Sequence, residues 1–303
     1  MTTLRIGTRG SPLALWQANY VADRLRTLHP GLVVELLEIQ TAGDRIRDVP
    51  LTSFAGEGVF TKAIQDALLD NRVDVAVHSL KDLPTVVVDN LTLGAIPQRA
   101  PTGDAFISKK HASFAALPPN AKVATSSLRR RAQLLHQRPD LHVLEIRGNV
   151  DTRLRKLVEQ NLDATILAEA GLRRLGLEAH ITEVLDASWM FPAVGQGALG
   201  IECRRDDATT NALLQPLNDP ATRAAALAER AMLRTLGGGC HVPIGARGSV
   251  VGSELRLIGT VLAPDGSSRI IESIAGLAPD CETLGVELAE ALKSQGAAAL
   301  LQS

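Results

Sequence analysis

The segment Leu4-Arg5-Ile6-Gly7-Thr8-Arg9-Gly10-Ser11-Pro12-Leu13-Ala14 joins a short apolar strand to the start of a helix. Ser11 is a residue type that caps helix N-termini, and Pro12 suits the first helical position because its fixed φ is already helical. The same change from strand to helix recurs at 122–130 and 146–153. Alternating strands and helices predict an α/β fold, with mostly parallel sheets covered by helices on both faces.

The last third of the chain has a different pattern. Apolar segments at 249–251, 255–261 and 269–274 are separated by Gly-Ser and Pro-Asp-Gly turn signals, which is typical of antiparallel hairpins. At 303 residues the chain exceeds the usual size of one core. We therefore expect two α/β domains and a smaller α+β C-terminal domain. The boundaries we predict are 1–97 with 198–215 for the first, 103–191 for the second and 220–303 for the third.

Composition narrows the class of protein. The hydrophobic content of 45% and the charged content of 21% are those of a soluble globular protein. No apolar stretch is long enough to span a bilayer, and the first residues lack the apolar run of a signal peptide, so we expect a cytoplasmic protein. The three cysteines have no CxxC spacing and no H-E-x-x-H motif occurs, which argues against a disulfide framework and a metal site.

Arginines concentrate in the middle third, although the formal net charge is only −1. Three strand-to-helix junctions, at 8–11, 125–130 and 147–153, combine arginine with hydroxyl or amide side chains. Helix N-termini offer unpaired N–H groups, and arginine binds carboxylate or phosphate with two hydrogen bonds. The pattern favours an anionic ligand, and the alternative is ordinary capping with solvated arginines. Aromatic residues make up only 3%, which disfavours a single-strand nucleic-acid binder.

Three further motifs admit two interpretations each. In 77–84, Lys81 and Asp82 either form a surface ion pair, or Asp82 is a carboxylate that follows a buried strand and faces a cleft. Gly195-Gln196-Gly197-Ala198-Leu199-Gly200 matches G-x-G-x-x-G, but the strand-like residues after it favour an interdomain crossover over a dinucleotide site. Cys240 follows three glycines and precedes Val242-Pro243, so it is either a small buried residue or a thiol that a bulky group can approach.

Taken together, six motifs in order resemble the porphobilinogen deaminase (hydroxymethylbilane synthase) family over residues 4–247. The matching segments are Ile6–Ala14, Val77–Pro84, Thr125–Arg130, Ile146–Val150, Pro192–Gly197 and Gly238–Gly245.

The resemblance implies a reaction and a covalent cofactor. Members of this family join four porphobilinogen molecules head to tail, with loss of ammonia, to give the linear tetrapyrrole hydroxymethylbilane. Chain growth starts on a dipyrromethane cofactor held by a cysteine thioether, and Cys240 matches that cysteine. Asp82 matches the catalytic aspartate, which hydrogen-bonds pyrrole N–H groups, stabilises cationic intermediates and assists proton transfer.

The resemblance also assigns the carboxylate-binding residues, because every substrate ring carries an acetate and a propionate. The residues that match cofactor-binding positions are Cys240, Lys81, Ser79, Thr125, Ser127, Arg129, Arg130, Arg147 and Asp82. The residues that match substrate-binding positions are Arg9, Ser11, Gln17, Arg147, Arg153 and Arg174.

The family fold implied is two domains like those of periplasmic binding proteins around a cleft, with the third domain presenting Cys240. We expect a monomer that binds porphobilinogen and neither nucleic acid nor membrane. The sequence departs from the family at Glu57, where lysine is common in the active-site lid, and at His241, where glutamine is frequent. The remaining alternatives are a non-catalytic anion-binding protein of the periplasmic-binding type and a nucleic-acid binder that uses the arginine cluster.

Overall fold

The computed structural model describes residues 3–41, 61–238 and 242–301. The chain divides into two compact units, one of residues up to 99 with 198–223 and the other of 100–197 with 224 onward. The expected C-terminal domain thus shares a unit with the expected second domain, and residues 216–223 belong to the first unit. The domain boundaries given above stay predictions.

The first unit is built on a five-stranded sheet. Its strands are β1 (Thr3–Thr8), β2 (Val33–Glu38), β3 (Val75–Ser79), β4 (Leu91–Ala95) and β10 (Leu199–Arg204). The order is β2-β1-β3-β10-β4, in which β1 pairs in parallel with β2 and β3 while β10 is antiparallel to β3 and β4. Within its described residues, this unit contains the helices α1 (Pro12–Leu28), α2 (Lys62–Leu69) and α6 (Ala208–Leu214).

Helix α1 begins where the sequence predicts. The Ser11 side chain accepts a hydrogen bond from the Ala14 N–H, and Pro12 occupies the first turn, where its missing N–H leaves no bond unmade. Its apolar face, including Val21 and Leu25, is fully buried in the core that also contains Ile6 of β1. This packing fixes the 8–11 junction at the carboxyl end of β1.

The second unit contains an equivalent five-stranded sheet. Its strands are β5 (Asp104–Ile107), β6 (Lys122–Ala124), β7 (His142–Leu144), β8 (Ala164–Ala168) and β9 (Glu183–Val184). Their order, β7-β6-β8-β5-β9, repeats the first sheet's pattern of parallel and antiparallel pairs. The helices after its strands are α3 (Leu128–Gln137), α4 (Val150–Glu159) and α5 (Glu169–Arg174).

The C-terminal part of the second unit has its own sheet and core. The antiparallel strands β11 (Ile244–Val251), β12 (Glu254–Leu262) and β13 (Arg269–Leu277) confirm the predicted hairpins. Its helices are α7 (Pro220–Thr235), which belongs to this unit from residue 224 onward, α8 (Cys281–Ser294) and α9 (Ala297–Leu300). Met232, Leu257 and Leu288 lie at the centre of a separate hydrophobic cluster.

These observations confirm the predicted α/β class with a smaller α+β part at the C-terminus. The strand β10 begins inside Gly195–Gly200, at Leu199, and the boundary between the units falls at 197/198, so this motif is a crossover and not a dinucleotide loop. Among the described residues, no helix is both long and apolar enough to cross a membrane.

Candidate active site

Five of the predicted site residues line one small cavity in the first unit. The cavity has a volume of about 70 Å³. The predicted residues along its wall are Arg9, Ser11, Gln17, Ser79 and Asp82. They come from the β1–α1 junction, from α1 and from the end of β3, so the parallel pairing of β1 with β3 brings them together.

Asp82 sits on a short 3-10 turn, Leu80–Asp82, directly after β3. Leu80 is buried in the core, and its N–H donates to the carbonyl of Ala198 at 3.0 Å, which fixes the start of the turn. The Asp82 side chain itself is exposed. A carboxylate is therefore held on a rigid base while remaining open to a ligand. Lys81, on the same turn, is half-buried and is not one of the described residues that line the cavity.

The Gln17 amide orients Ser79. Gln17 is buried on α1, and its Nε2 donates to Ser79 Oγ at 2.8 Å. Because that bond uses a lone pair of the hydroxyl oxygen, the Ser79 proton stays available as a donor to a ligand.

Sequence reasoning missed a buried cluster beside this cavity. His78 also lines the cavity, and its Nε2 lies 3.2 Å from Glu202 Oε2 of β10, although the pair is poorly aligned for a hydrogen bond. Gln65 of α2 donates to both Glu202 oxygens, at 3.0 and 3.2 Å. Glu202 and Gln65 belong to elements distant in sequence, so no local pattern indicated the cluster.

In the second unit, hydroxyl groups organise the 125–130 junction. Ser127 caps α3 by accepting from the Arg130 N–H, and Ser127 N–H donates to Thr125 Oγ1 at 3.2 Å. Thr125 is buried, with its N–H bonded to the carbonyl of Leu144 at 2.8 Å. Asn149, a residue type that favours helix N-termini, directly precedes α4, but its side chain makes no capping hydrogen bond.

Arg129 and Arg130 do not project into solvent. Both are buried and bind one carboxylate, that of Asp104, at 2.6 Å each. Burial alone would raise the pKa of the Asp104 carboxyl, but the charges and hydrogen bonds of the two arginines hold it well below its usual range. Sequence reasoning missed Asp104, because nothing near it in the chain marks it as the partner of α3.

The other predicted arginines also have protein partners. Arg147 forms an ion pair with Glu145 at 2.5 Å, and Arg153 Nε donates to the carbonyl of Gly148 at 2.8 Å. Arg174 donates to the carbonyl of Gly197 at 2.7 Å. All three are half-buried, so each combines a fixed position with partial access to solvent.

Two predicted features lie outside the described residues. These are Cys240, with its neighbour His241, and the segment that contains Glu57. The other two cysteines are both buried. Burial raises the pKa of the Cys203 thiol to about 11, so at neutral pH it is not a nucleophile. In the described part of the chain, no group of three or more His, Cys, Asp or Glu side chains could hold a metal ion.

Comparison with known proteins finds two matching family models and close relatives over nearly the whole chain. Residues 4–212 match the family model for the dipyrromethane cofactor-binding domain of porphobilinogen deaminase, and residues 224–294 match its C-terminal domain. The porphobilinogen deaminase of Pelobacter propionicus is 52% identical over 299 residues, which is 99% of this chain and 96% of the relative. That of Geobacter sulfurreducens is 51% identical over 98% of this chain and 93% of its own length.

Among solved structures, a nutrient-binding protein from Burkholderia cenocepacia bound to methionine is a distant match. It is 16% identical, with a TM-score of 0.44, over 76% of this chain and 94% of its own. The family models cover most of the chain and the relatives nearly all of it. The chain therefore belongs to the porphobilinogen deaminase family.

Proposed function

We propose that Asp82 is the acid–base residue of this enzyme and that the cavity around it holds the reacting end of porphobilinogen. The observation that carries the proposal is the convergence of Asp82, Ser79, Gln17, Arg9 and Ser11 on one cavity. Only one of these side chains, Asp82, is a carboxylate.

As a member of its family, the chain is a transferase that makes hydroxymethylbilane from four molecules of porphobilinogen. In each condensation the carbon–nitrogen bond of the substrate's aminomethyl group breaks, ammonia leaves and a cationic carbon is formed. That carbon then bonds to a pyrrole α-carbon, which loses its proton. The Asp82 carboxylate stabilises that charge and exchanges a proton with the departing amine. A positioned acid–base group contributes about 10²–10⁴-fold to a rate.

In this proposal the arginine side chains bind the acetate and propionate carboxylates of the substrate. Arg9 and Ser11 lie beside Asp82, at the N-terminus of α1, where the helix dipole adds to the attraction for an anion. Arg147, Arg153 and Arg174 supply further partly accessible guanidinium groups in the second unit. A charge-assisted hydrogen bond contributes roughly 1.5–3 kcal/mol, so loss of one such residue weakens substrate binding without removing the acid–base group.

The residues present also fit a dipyrromethane cofactor, whose rings carry acetate and propionate groups. Arg129 and Arg130 share one carboxylate, so one positive charge remains, and the buried Arg129 Nε has no hydrogen-bond partner among the described residues. Within this unit, Thr125 and Ser127 would join the two arginines in holding the acidic groups. Lys81 and Ser79, in the first unit, stay predicted cofactor-binding residues. The cofactor supplies a pyrrole end on which the product chain grows.

We assign Cys240 as the residue whose sulfur holds the cofactor in a thioether bond. Cys240 matches the cysteine that carries the cofactor in the family, and the other two cysteines, Cys203 and Cys281, are both buried. We further infer a cytoplasmic monomer that does not bind membranes. We infer that it does not bind nucleic acid either, because its arginines are already assigned to small carboxylates.

Intact-protein mass spectrometry tests the cofactor assignment. The purified chain should carry two linked porphobilinogen units, and Cys240→Ala should lose them. Cys203→Ala is the matched control, since it removes a buried thiol and should keep the adduct. An unmodified wild-type chain with full activity would contradict the assignment.

Asp82→Asn tests the acid–base role, because it keeps the shape of the side chain and removes its charge. We expect turnover to fall by at least about 10²-fold, with the circular dichroism spectrum unchanged. The control is Asp66→Asn on α2, which alters a carboxylate of the same unit that is not part of the cavity wall. Normal turnover in Asp82→Asn would remove this residue from the mechanism.

A further inference from the structure

Asp104 is the meeting point of the arginine cluster, which we define as Asp104, Arg129, Arg130 and Gln196. Its side chain is fully buried. Arg129 Nη1 donates to Oδ2 at 2.6 Å, and Arg130 donates to Oδ1 through Nε at 2.9 Å and Nη2 at 2.6 Å. The carboxylate therefore fixes the orientation of both guanidinium groups.

Asp104 is itself held from two further directions. It is the first residue of β5, and its carbonyl accepts from the Leu185 N–H at 2.9 Å. Gln196 Nε2 donates to Asp104 Oδ1 at 2.9 Å and to the carbonyl of Thr102 at 2.7 Å. The two chain segments at the ends of the 100–197 stretch thus converge on this carboxylate, which leaves it little freedom to move.

The charges of the arginine cluster do not balance. Among the described residues it contains two guanidinium groups and one carboxylate. Glu169, which lies close to Gly103, is already paired with Arg173 at 2.8 Å. A buried unbalanced charge is costly, since desolvation is not repaid by a partner. In the described part of the chain, the buried Nε of Arg129 also has no hydrogen-bond partner. The cluster therefore has the charge and a free donor to bind one more anion.

We propose that Asp104 is a positioning and specificity-determining residue that limits the arginine cluster to a single ligand carboxylate. It neutralises one of the two positive charges and fixes the geometry with which the arginines meet the other anion. The inference rests on the proposed role of Arg129 and Arg130 in binding acidic groups of the cofactor, and it assigns to Asp104 the control of that binding.

The proposal predicts a gain of anion affinity when the carboxylate is removed. In Asp104→Asn the cluster keeps two positive charges and loses its one carboxylate, so it should bind small anions more tightly and with less selectivity. A purely structural role predicts only a loss of stability. The two roles can therefore be separated by measuring how inorganic phosphate protects the folded protein.

The test uses the full chain with Cys240→Ala throughout, so that no covalently held group competes with phosphate. Thermal unfolding is followed while inorganic phosphate is titrated. In Asp104→Asn the phosphate concentration that gives half of the stabilisation should fall about tenfold, the scale of one charge-assisted hydrogen bond. Asp163→Asn is the control in the same unit, because it breaks an ion pair with the half-exposed Lys110 and should leave the phosphate midpoint unchanged.

Asp104→Asn combined with Arg130→Gln returns the net charge to that of the original cluster. Removing both partners of a buried ion pair costs less than removing one, so this variant should fold even where the single variant does not. Its phosphate midpoint should return to the value of the Cys240→Ala parent. A midpoint in Asp104→Asn equal to that of the parent would overturn the proposal, as would a double variant that keeps the tenfold change.

Failure of this proposal can be distinguished from failure of the proposed function. If the wild-type chain carries no pyrrole adduct, the cofactor assignment fails while the phosphate titration still decides the role of Asp104. If the adduct is present and the phosphate midpoints do not differ, the cofactor assignment stands and the role of Asp104 fails.

Discussion

Replacing Gly197 by alanine should damage the second unit far more than the same change at a glycine in open space. Gly197 has a φ of +83°, and a Cβ built there would lie 2.4 Å from the carbonyl oxygen of Ala100 and 2.9 Å from that of Pro101. Both obstacles are backbone atoms, so neither can turn away as a flexible side chain could. The segment would have to move, and with it the Gly197 carbonyl that binds Arg174.

The cost has three parts. A left-handed backbone costs an alanine about 1–2 kcal/mol. Displacing the segment weakens the hydrogen bond from the Ala100 N–H to the Gly197 carbonyl, 3.1 Å long, which contributes about 1 kcal/mol. It also weakens the 2.7 Å bond from Arg174, whose charged donor contributes about 1.5–3 kcal/mol. The expected loss is about 4 kcal/mol.

Gly176→Ala provides the matched control. Gly176 lies in the same unit with a φ of +67°, and no atom lies within 4 Å of the position that an alanine Cβ would take, so only the backbone cost of about 1–2 kcal/mol applies. Urea unfolding of both variants, followed by circular dichroism, measures the difference, which should be about 2–3 kcal/mol. Because Arg174 is displaced only in Gly197→Ala, that variant should also show a raised KM for porphobilinogen. Equal destabilisation of the two variants would refute the reasoning.

Three further outcomes follow from the same geometry. The pKa of Asp104 is lower in the folded chain than in the unfolded chain, so below about pH 4 the unfolded state binds more protons. Lowering the pH in that range therefore lowers the stability of the protein. In Asp104→Asn the free energy of unfolding should change less between pH 5 and pH 3 than in the wild-type chain. Ser127→Ala removes the capping bond to the Arg130 N–H and should cost about 1 kcal/mol, whereas Asn149→Ala, which removes a side chain without a capping bond, should cost less in the same urea titration. Glu57→Lys should change the KM for porphobilinogen only modestly in steady-state assays, because the substrate's carboxylates already have arginine partners, and a collapse of cofactor content would instead assign Glu57 a direct role.

Local sequence was sufficient for the elements and for most candidate residues. Ser11-Pro12 marks the start of α1 because capping and a fixed proline φ act within one turn. The apolar spacing over 60–71 indicates a helix, and α2 spans Lys62–Leu69. The apolar run at 73–77 indicates a strand, and β3 spans Val75–Ser79. These shifts of about two residues arise because the ends of elements depend on their partners in the sheet and core.

Pairings between distant residues could not be read from the sequence. The arginines of α3 stood out as an anion-binding motif, but their carboxylate partner lies 25 residues away, at the start of a strand. Glu202 lies still farther from Gln65, at a separation of 137 residues. Each of these bonds joins a helix residue to a strand residue from another part of the chain, so it exists only because folding brings that helix against that strand.

The sequence by itself determined the α/β class, the family and the chemical character of the site, because these depend on periodicity, capping and motifs of a few adjacent residues. Only the tertiary structure decided how the charges are balanced. Arg129 and Arg130, which in the sequence are two adjacent cations, are in the fold a pair that shares the buried carboxylate of Asp104 and retains one positive charge. The physical reason is that Coulomb energy and desolvation depend on distances through space and on burial, and folding alone sets both.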